Sequence, residues 1–236
     1  MKNSPRIWLE HELRQYSETL SEGTVLLDAG SGDQRYKTLF PQCTYESTDF
    51  EQVDKPYGSS TYVCDLADIP VDAGRFDAIV FTQVMEHLPE PLVVLKELLR
   101  VARPGATLFY SGPLAYHEHE EPYDFYRYTQ FGVRYLFESA GWEIVKLRPL
   151  DSYLSTVAYH LNYMARNLPR KRADYGRGAR GLVAYVLLKP FRRMARHMSS
   201  IVAKAAVHHR HNATGYPMNY MAVARNRADV SGSLDQ

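Results

Sequence analysis

Cysteine is nearly absent from this chain: Cys43 and Cys64 are its only two. Neither belongs to a C-x-x-C pair, so zinc ribbons and fingers are excluded, and two cysteines cannot staple a disulfide scaffold. A reducing compartment is the simplest home, and a cytoplasmic protein is expected. Long apolar runs are missing as well. No stretch of about 18 uninterrupted apolar residues occurs, which excludes an ordinary membrane-spanning helix. The opening Met1-Lys2-Asn3-Ser4-Pro5 leads into a polar amphipathic stretch, so no secretory signal is expected. Net charge is also small, +1 from 28 basic and 27 acidic residues. That balance conceals an asymmetry. Residues 150–217 carry twelve Lys or Arg against two Asp, and the acidic excess lies in the rest of the chain. One segment is built to face a different partner from the remainder.

What is present alternates. Residues 5–21 read as a helix, with Ile7, Trp8, Leu13 and Leu20 as candidate buried contacts. Thr24-Val25-Leu26-Leu27 is a short continuous apolar run, the pattern of a strand covered on both faces. Further strands are expected at 44–48, closing on Asp49; at 61–64, closing on Asp65; and at 76–81. A helix starts near Pro91, with Leu92, Leu95, Leu98 and Leu99 on one face, and is expected to stop at Arg103-Pro104-Gly105. Residues 106–110 make a fifth strand. Thr129 is placed to cap a helix ending at Gly141; 142–147 is a sixth strand and 219–225 the last. Strands alternating with helices predict an α/β fold, doubly wound, with a mostly parallel seven-stranded sheet and a helical insertion before the last strand. The domain boundaries follow: an N-terminal helical cap over 1–22, a cofactor-binding core over 23–149, a basic helical insertion over 150–216, the last core strand over 217–227, and a disordered tail over 228–236.

The first strand runs into Asp28-Ala29-Gly30-Ser31-Gly32-Asp33. A strand, a glycine turn and a following helix form an adenosine-cofactor site, because glycine lets a ligand approach the backbone and a helix start offers free N–H groups. Asp49 lies at the end of the next strand, where a carboxylate can accept from both ribose hydroxyls. Asp65-Leu66 ends the third, within reach of an adenine amino group. A nicotinamide dinucleotide is the competitor. Its fingerprint requires glycine at position 35, which is Arg35, and Asp28 and Asp33 would repel a pyrophosphate. A cofactor bearing an ammonium and a sulfonium suits those carboxylates better.

With these residues assembled, the chain resembles class I S-adenosylmethionine-dependent methyltransferases of the type 11 kind. The resemblance rests on Leu27-Asp28-Ala29-Gly30-Ser31-Gly32-Asp33, Phe76-Asp77-Ala78-Ile79, Glu86-His87-Leu88-Pro89-Glu90-Pro91 and the run from Leu98 to Ala106, in that order. It implies S-adenosyl-L-methionine as cofactor. Asp28, Gly30 and Gly32 would line its methionine side, with Gln83 nearby, Asp49 its ribose, and Asp65 with Leu66 its adenine. One departure is Gln34, where such proteins often carry a further glycine.

Acceptor chemistry is expected in the segment after the fifth strand, from His117-Glu118-His119-Glu120-Glu121-Pro122 through Tyr123-Asp124-Phe125-Tyr126-Arg127-Tyr128-Thr129. Carboxyl ends of parallel strands face the ligand crevice in such a fold. A histidine beside carboxylates is a good base near neutral pH. His119 is the expected base, oriented by Asp124 or Glu120, with His117 in reserve and His87 a further possibility. No metal is expected in the machinery; the competing reading uses His-x-His and the adjacent glutamates as ligands for a divalent ion. Resemblance of this loop to methyltransferases that accompany glycan assembly implies O-methylation of a sugar or another small or lipid-linked hydroxyl.

The basic segment reads as two or three helices, interrupted around 169–181 and near Pro190. Phe191, Met194, Ala195, Met198, Ile201, Val202 and Ala205 recur at helical spacing, with arginines on the other faces. Such a helix suits contact with an anionic membrane surface over 182–207, or packing on its own core or a second subunit. Nucleic acid is the weaker partner. Two rival functions stand beside methyl transfer to a small acceptor: a non-catalytic cofactor-binding scaffold at a membrane surface, and an RNA-directed methyltransferase.

Overall fold

The computed structural model describes residues 4–54, 56–208 and 215–227. The expected tail over 228–236 lies outside them. The chain divides into two compact units, one of Leu9–Leu150 with Asn219–Gln236, the other of Met1–Trp8 with Asp151–Met218.

The larger unit is built on a seven-stranded sheet. Its strands are β1 (Val25–Ala29), β2 (Thr44–Asp49), β3 (Tyr62–Val63), β4 (Phe76–Thr82), β5 (Ala102–Pro113), β6 (Trp142–Pro149) and β7 (Asn219–Asn226). Their spatial order is β3-β2-β1-β4-β5-β7-β6. The first five run parallel, and β7 is antiparallel to both β5 and β6. The carboxyl ends of β1 to β5 therefore share one edge. The order reverses between β1 and β4, the place where this architecture opens a ligand crevice.

Side-chain alternation assigns the two faces of the sheet. Leu27, Ile79, Phe81, Leu108 and Tyr110 belong to a cluster with Val94, Leu95 and Leu98 of helix α2 (Pro91–Val101) and Val133 and Phe137 of helix α3 (Gln130–Ala140). Phe109 takes the opposite face. It meets Tyr16 of helix α1 (Ser4–Ser17) at a ring-centroid distance of 5.4 Å, and the Tyr16 hydroxyl donates to the Thr107 carbonyl at 3.0 Å. Helix α1 is buried through Leu9, Leu13 and Tyr16, spaced four and three apart, whereas Ile7 is exposed. Each such buried apolar side chain contributes roughly 1.5–3 kcal/mol. The indole of Trp142 donates to the Leu95 carbonyl at 2.9 Å and so fastens β6 to α2.

Three expectations are corrected. No α-helix follows the glycine turn: Gly30 to Cys43 holds only a short 3-10 turn, Lys37–Leu39. Fourteen residues with Pro41 among them leave little room for a helical crossover, so the turn's amides come from loop backbone. Helix α2 stops at Val101 and β5 begins at once. Phe76 pairs with Ala102 and Ala78 with Thr107, so Arg103-Pro104-Gly105-Ala106 bulges from the strand, with Gly105 at φ +85°. Pro190 does not end a helix.

That proline sits in the second unit. There α4 (Tyr153–Asn167) and α5 (Gly178–His208) pack together, joined by a 3-10 turn at Arg172–Tyr175. Pro190 costs α5 the bond to the Val186 carbonyl. Val186 is on the exposed side, where water can replace the missing donor. The buried face of α5 is narrow and small: Ala195, Ser199, Ala203 and Ala206. Phe191, Met194, Met198 and Ile201 are exposed, so the larger residues of the expected stripe do not form its packing side. Trp8 donates to the Ala206 carbonyl at 3.0 Å, and Ser4 bonds Ser155 within the same unit. Among the described residues no helix is long and apolar enough to cross a membrane.

Thr129 caps α3 as its position predicts, its hydroxyl accepting the Gly132 amide at 3.2 Å, and Gly141 closes the helix at φ +101°. Thr129→Ala should lower stability by about 1 kcal/mol. A urea titration would show this as a shifted midpoint with unchanged slope. Cofactor affinity should not move, which separates a cap from a catalyst.

Candidate active site

The crevice edge is assembled from five strand ends. Gly30 follows β1 at φ +74°, and a Cβ there would stand 2.5 Å from Cγ2 of Val84, just beyond β4. Glycine is therefore required both by conformation and by contact across the switch point. The Gly30 and Ser31 amides donate to the Thr48 carbonyl at 2.8 and 3.0 Å, which turns the loop back over β2. Asp49 ends β2, and its two oxygens accept from the amides of Gly32 at 2.8 Å and Glu51 at 3.0 Å. Each oxygen keeps a second lone pair for a ligand. Gln34, at φ +52°, donates to the Ser47 hydroxyl and the Ser59 carbonyl. It thus ties the turn to the β2–β3 connection.

Asp28 is buried and accepts a short hydrogen bond from the Tyr45 hydroxyl. Desolvation, opposed by that bond and reinforced by Asp49 and Asp33, pushes its carboxyl up to about 6. Asp65 is exposed at the end of β3, where it accepts the Ala67 amide at 2.9 Å. The Leu66 side chain is in the core, so only its backbone can meet a ligand. Gln83, at φ +57° after β4, bonds Ser111 of β5 through its amide group at 3.1 Å.

The hydroxyl of Ser31, in the middle of the glycine turn, is buried and has no hydrogen-bond partner. Such an orphan is costly unless a ligand completes it. Together with the carboxylates along the edge, it fits a cofactor that brings polar atoms and positive charge to this turn.

Opposite stands the segment between β5 and α3, stitched to the turn after β4. Amides of Phe125 and Tyr126 donate to the Glu86 carbonyl at 2.8 and 3.2 Å, and the Tyr126 hydroxyl donates to the Pro89 carbonyl at 3.1 Å. His87 donates from Nδ1 to the Tyr123 carbonyl at 2.6 Å. Asp124 is gripped by the two terminal nitrogens of Arg127, each at 2.7 Å, and accepts the His119 amide at 2.8 Å. Those bonds hold its carboxyl well below the ordinary carboxylate range. The His119 ring lies 3.3 Å from Asp124 through Nδ1, which also faces the His117 carbonyl at 3.2 Å. Desolvation and the nearby His87 ring lower its pKa, so the ring is neutral at pH 7 with the Nε2 lone pair available. A lone pair so presented accepts a proton or coordinates a metal ion.

The structure thus brings His119, His87 and Asp124 together. His117 is exposed and contributes its carbonyl, which Arg127 also bonds at 2.8 Å. Glu120, the other expected partner of His119, turns the chain at φ +52° and accepts the Tyr123 amide at 2.9 Å. The sequence reading missed Ser31, Arg127 and above all Glu86. Glu86 is fully buried, and both its carboxylate oxygens lack a hydrogen-bond partner. Burial pushes its carboxyl up to about 8. Glu86 lies four residues past the end of β4, in a turn where an acid is ordinarily solvated, so its local sequence gave no signal of burial. A separate groove lined by Tyr62, Asp72, Arg75 and Arg100 lies near the start of β4, away from this edge. Its arginines are already engaged with Glu46 and Glu97.

A family model for the methyltransferase domain matches residues 6–147. The chain belongs to this family. It carries a methyltransferase domain over more than half of its length. Among curated proteins it is similar to a tRNA (carboxymethyluridine(34)-5-O)-methyltransferase of Arabidopsis thaliana, 27% identical over 53% of this chain and 32% of that one. It is also similar to a ubiquinone biosynthesis O-methyltransferase of Coxiella burnetii, 32% identical over 32% of this chain and 30% of that one. The chain thus spans about a third of the length of these relatives. Among solved structures, a SAM-dependent methyltransferase from Archaeoglobus fulgidus shares the fold with a TM-score of 0.55 and 13% identity, covering 93% of this chain and 94% of that one.

The position of Asp28 fixes a pH dependence. Its folded value of about 6 lies above the ordinary 3.8, so the unfolded chain ionises first as pH rises. Stability is unpenalised below 3.8 and falls between 3.8 and 6. Above 6 the loss is complete, at roughly 3 kcal/mol. Asp28→Asn keeps an acceptor for Tyr45 but cannot ionise. The melting temperature of the cofactor-free variant should gain on wild type across that interval and run parallel above it. Curves parallel throughout would contradict the raised value.

Proposed function

We propose that the enzyme transfers the methyl group of S-adenosylmethionine to a hydroxyl of a small or lipid-linked acceptor, with a sugar hydroxyl the leading candidate. The observation that carries the reading is the His119, His87 and Asp124 cluster, held by Arg127 beside the same sheet edge as the glycine turn. Both kinds of curated relative named above are O-methyltransferases, which favours oxygen as the accepting atom. On the cofactor side, Asp28, Gly30, Gly32 and Gln83 serve the methionine portion, Asp49 the ribose, and Asp65 with the Leu66 backbone the adenine. When bound, the cofactor supplies a methyl on a positively charged sulfur. The protein's part is to align the acceptor oxygen with that carbon and to help its proton leave. His119 carries that activation, with Asp124 and Arg127 fixing the ring.

The membrane reading has a physical basis in α5. Between 178 and 208 there are six Lys or Arg and no Asp or Glu. Leu182, Val183, Val186, Leu187, Phe191, Met194, Met198 and Ile201 are exposed along the same helix. Apolar burial and attraction to anionic headgroups, about 1 kcal/mol per basic residue near the surface, would together hold it there.

Calorimetry with S-adenosylmethionine and S-adenosylhomocysteine tests the cofactor side. Wild type should bind both and NAD not at all, and Asp49→Ala should bind at least tenfold more weakly, about 1.4 kcal/mol. A screen with radiolabelled methyl donor against sugars, lipid extracts and tRNA then tests the acceptor. Label confined to tRNA would overturn the small-acceptor reading in favour of an RNA-directed enzyme. For α5, sedimentation with vesicles containing phosphatidylglycerol should retain wild type and release the Arg192→Glu, Arg193→Glu double variant. Neutral vesicles should retain neither. Equal retention of the two proteins on anionic vesicles would rule out this surface.

A further inference from the structure

We propose that Glu86, His87 and His119 form a binding site for a divalent transition-metal ion. Each offers one ligand atom, and the three atoms lie within 4.8 Å of one another. Metal–nitrogen and metal–oxygen bonds of about 2.0–2.2 Å hold neighbouring ligands about 3–4 Å apart, so a shared ion would draw the three atoms slightly closer together. Two further observations point to a ligand. The Glu86 carboxylate is fully buried with no hydrogen-bond partner on either oxygen, and the nearest ring nitrogen, Nε2 of His87, is 4.0 Å away. Arg127 and the backbone offset the burial of that group only in part, and a bound cation would supply the rest.

Both imidazoles are also held as metal ligands are held. His87 donates Nδ1–H to the Tyr123 carbonyl, and His119 directs Nδ1 at the His117 carbonyl and at Asp124. A carbonyl can only accept, so the neutral rings carry their protons on Nδ1 and leave Nε2 with the lone pair. Ligating histidines show this outer bond almost always. Arg127 does not spoil the site electrostatically, because Asp124 neutralises it through two bonds.

Two imidazoles and a carboxylate favour zinc, cobalt, manganese or iron(II) over magnesium or calcium, which prefer oxygen-only shells. Three protein ligands leave at least one position open. On the acceptor reading above, that position would take the hydroxyl oxygen, whose acidity the ion would raise so that its proton leaves to solvent water as the methyl carbon bonds to oxygen. His119 would then hold the ion rather than act as a free base.

The test uses the full chain, stripped with chelator and titrated with cobalt(II), followed by visible absorption and calorimetry. Wild type and His117→Ala should each bind one ion per chain. His119→Ala and Glu86→Gln should bind roughly tenfold or more weakly, while still melting at a higher temperature when S-adenosylhomocysteine is added. That thermal shift certifies the fold of each variant. Cobalt bound equally by wild type and His119→Ala overturns the site, as does wild type that responds to S-adenosylhomocysteine and ignores cobalt. Cobalt bound as expected by an enzyme that labels no hydroxyl acceptor supports the site and counts against the acceptor reading alone.

Discussion

The contact between Gly30 and Val84 is the constraint on which the cofactor edge depends. Between β1 and β4 the sheet changes direction, and the turns leaving the two strands must pass each other closely. A side chain at position 30 would occupy the space of the Val84 methyl groups. Because none is there, the first turn folds back onto Thr48 and sets its Gly32 amide against Asp49. The same closeness fixes where the second turn begins, and with it the burial of Met85 and Glu86. A steric fact about two residues thus arranges both walls of the crevice.

Polarity along the edge follows from that arrangement. Asp28 is desolvated because the turn closes over it, and Glu86 because the β5–α3 segment is bonded across it. Isolated carboxylates buried this way are expensive. Proteins keep such groups where a ligand compensates them, which is why the crevice and not the surface holds the most perturbed acids. Asp124 shows the opposite solution: it sits low because Arg127 and a backbone amide already satisfy it.

Much of the sheet was legible in the sequence because buried parallel strands announce themselves as short apolar runs. Strands β1 and β4 start within a residue of their expected positions. Thr129 and Gly141 mark α3 by cap chemistry that is local and therefore readable. Reading failed where tertiary context prevailed over local preference. The glycine turn suggested a helix start, yet the crossover to β2 is too short for one. Pro104 and Gly105 looked like a helix stop and instead form a bulge paired across β4. Pro190 looked like a break, and an exposed helix side tolerates it. At the candidate site, residue type and strand position put Asp28, Asp49 and the histidines forward as candidates, and the fold sets them along the carboxyl edge of the sheet. Glu86 was not among them, because burial is a property of the whole fold and no local pattern encodes it.

The chain has two tryptophans, and they fall one to each compact unit. Trp142 is clamped inside the sheet unit by the Leu95 carbonyl, and Trp8 is held in the helical unit by the carbonyl of Ala206. Each indole is a built-in fluorophore whose emission shifts when its own surroundings open. Replacing either one with phenylalanine leaves a protein that reports on a single unit. Unfolding of the basic helices can therefore be followed spectroscopically, without cutting the chain or attaching a dye.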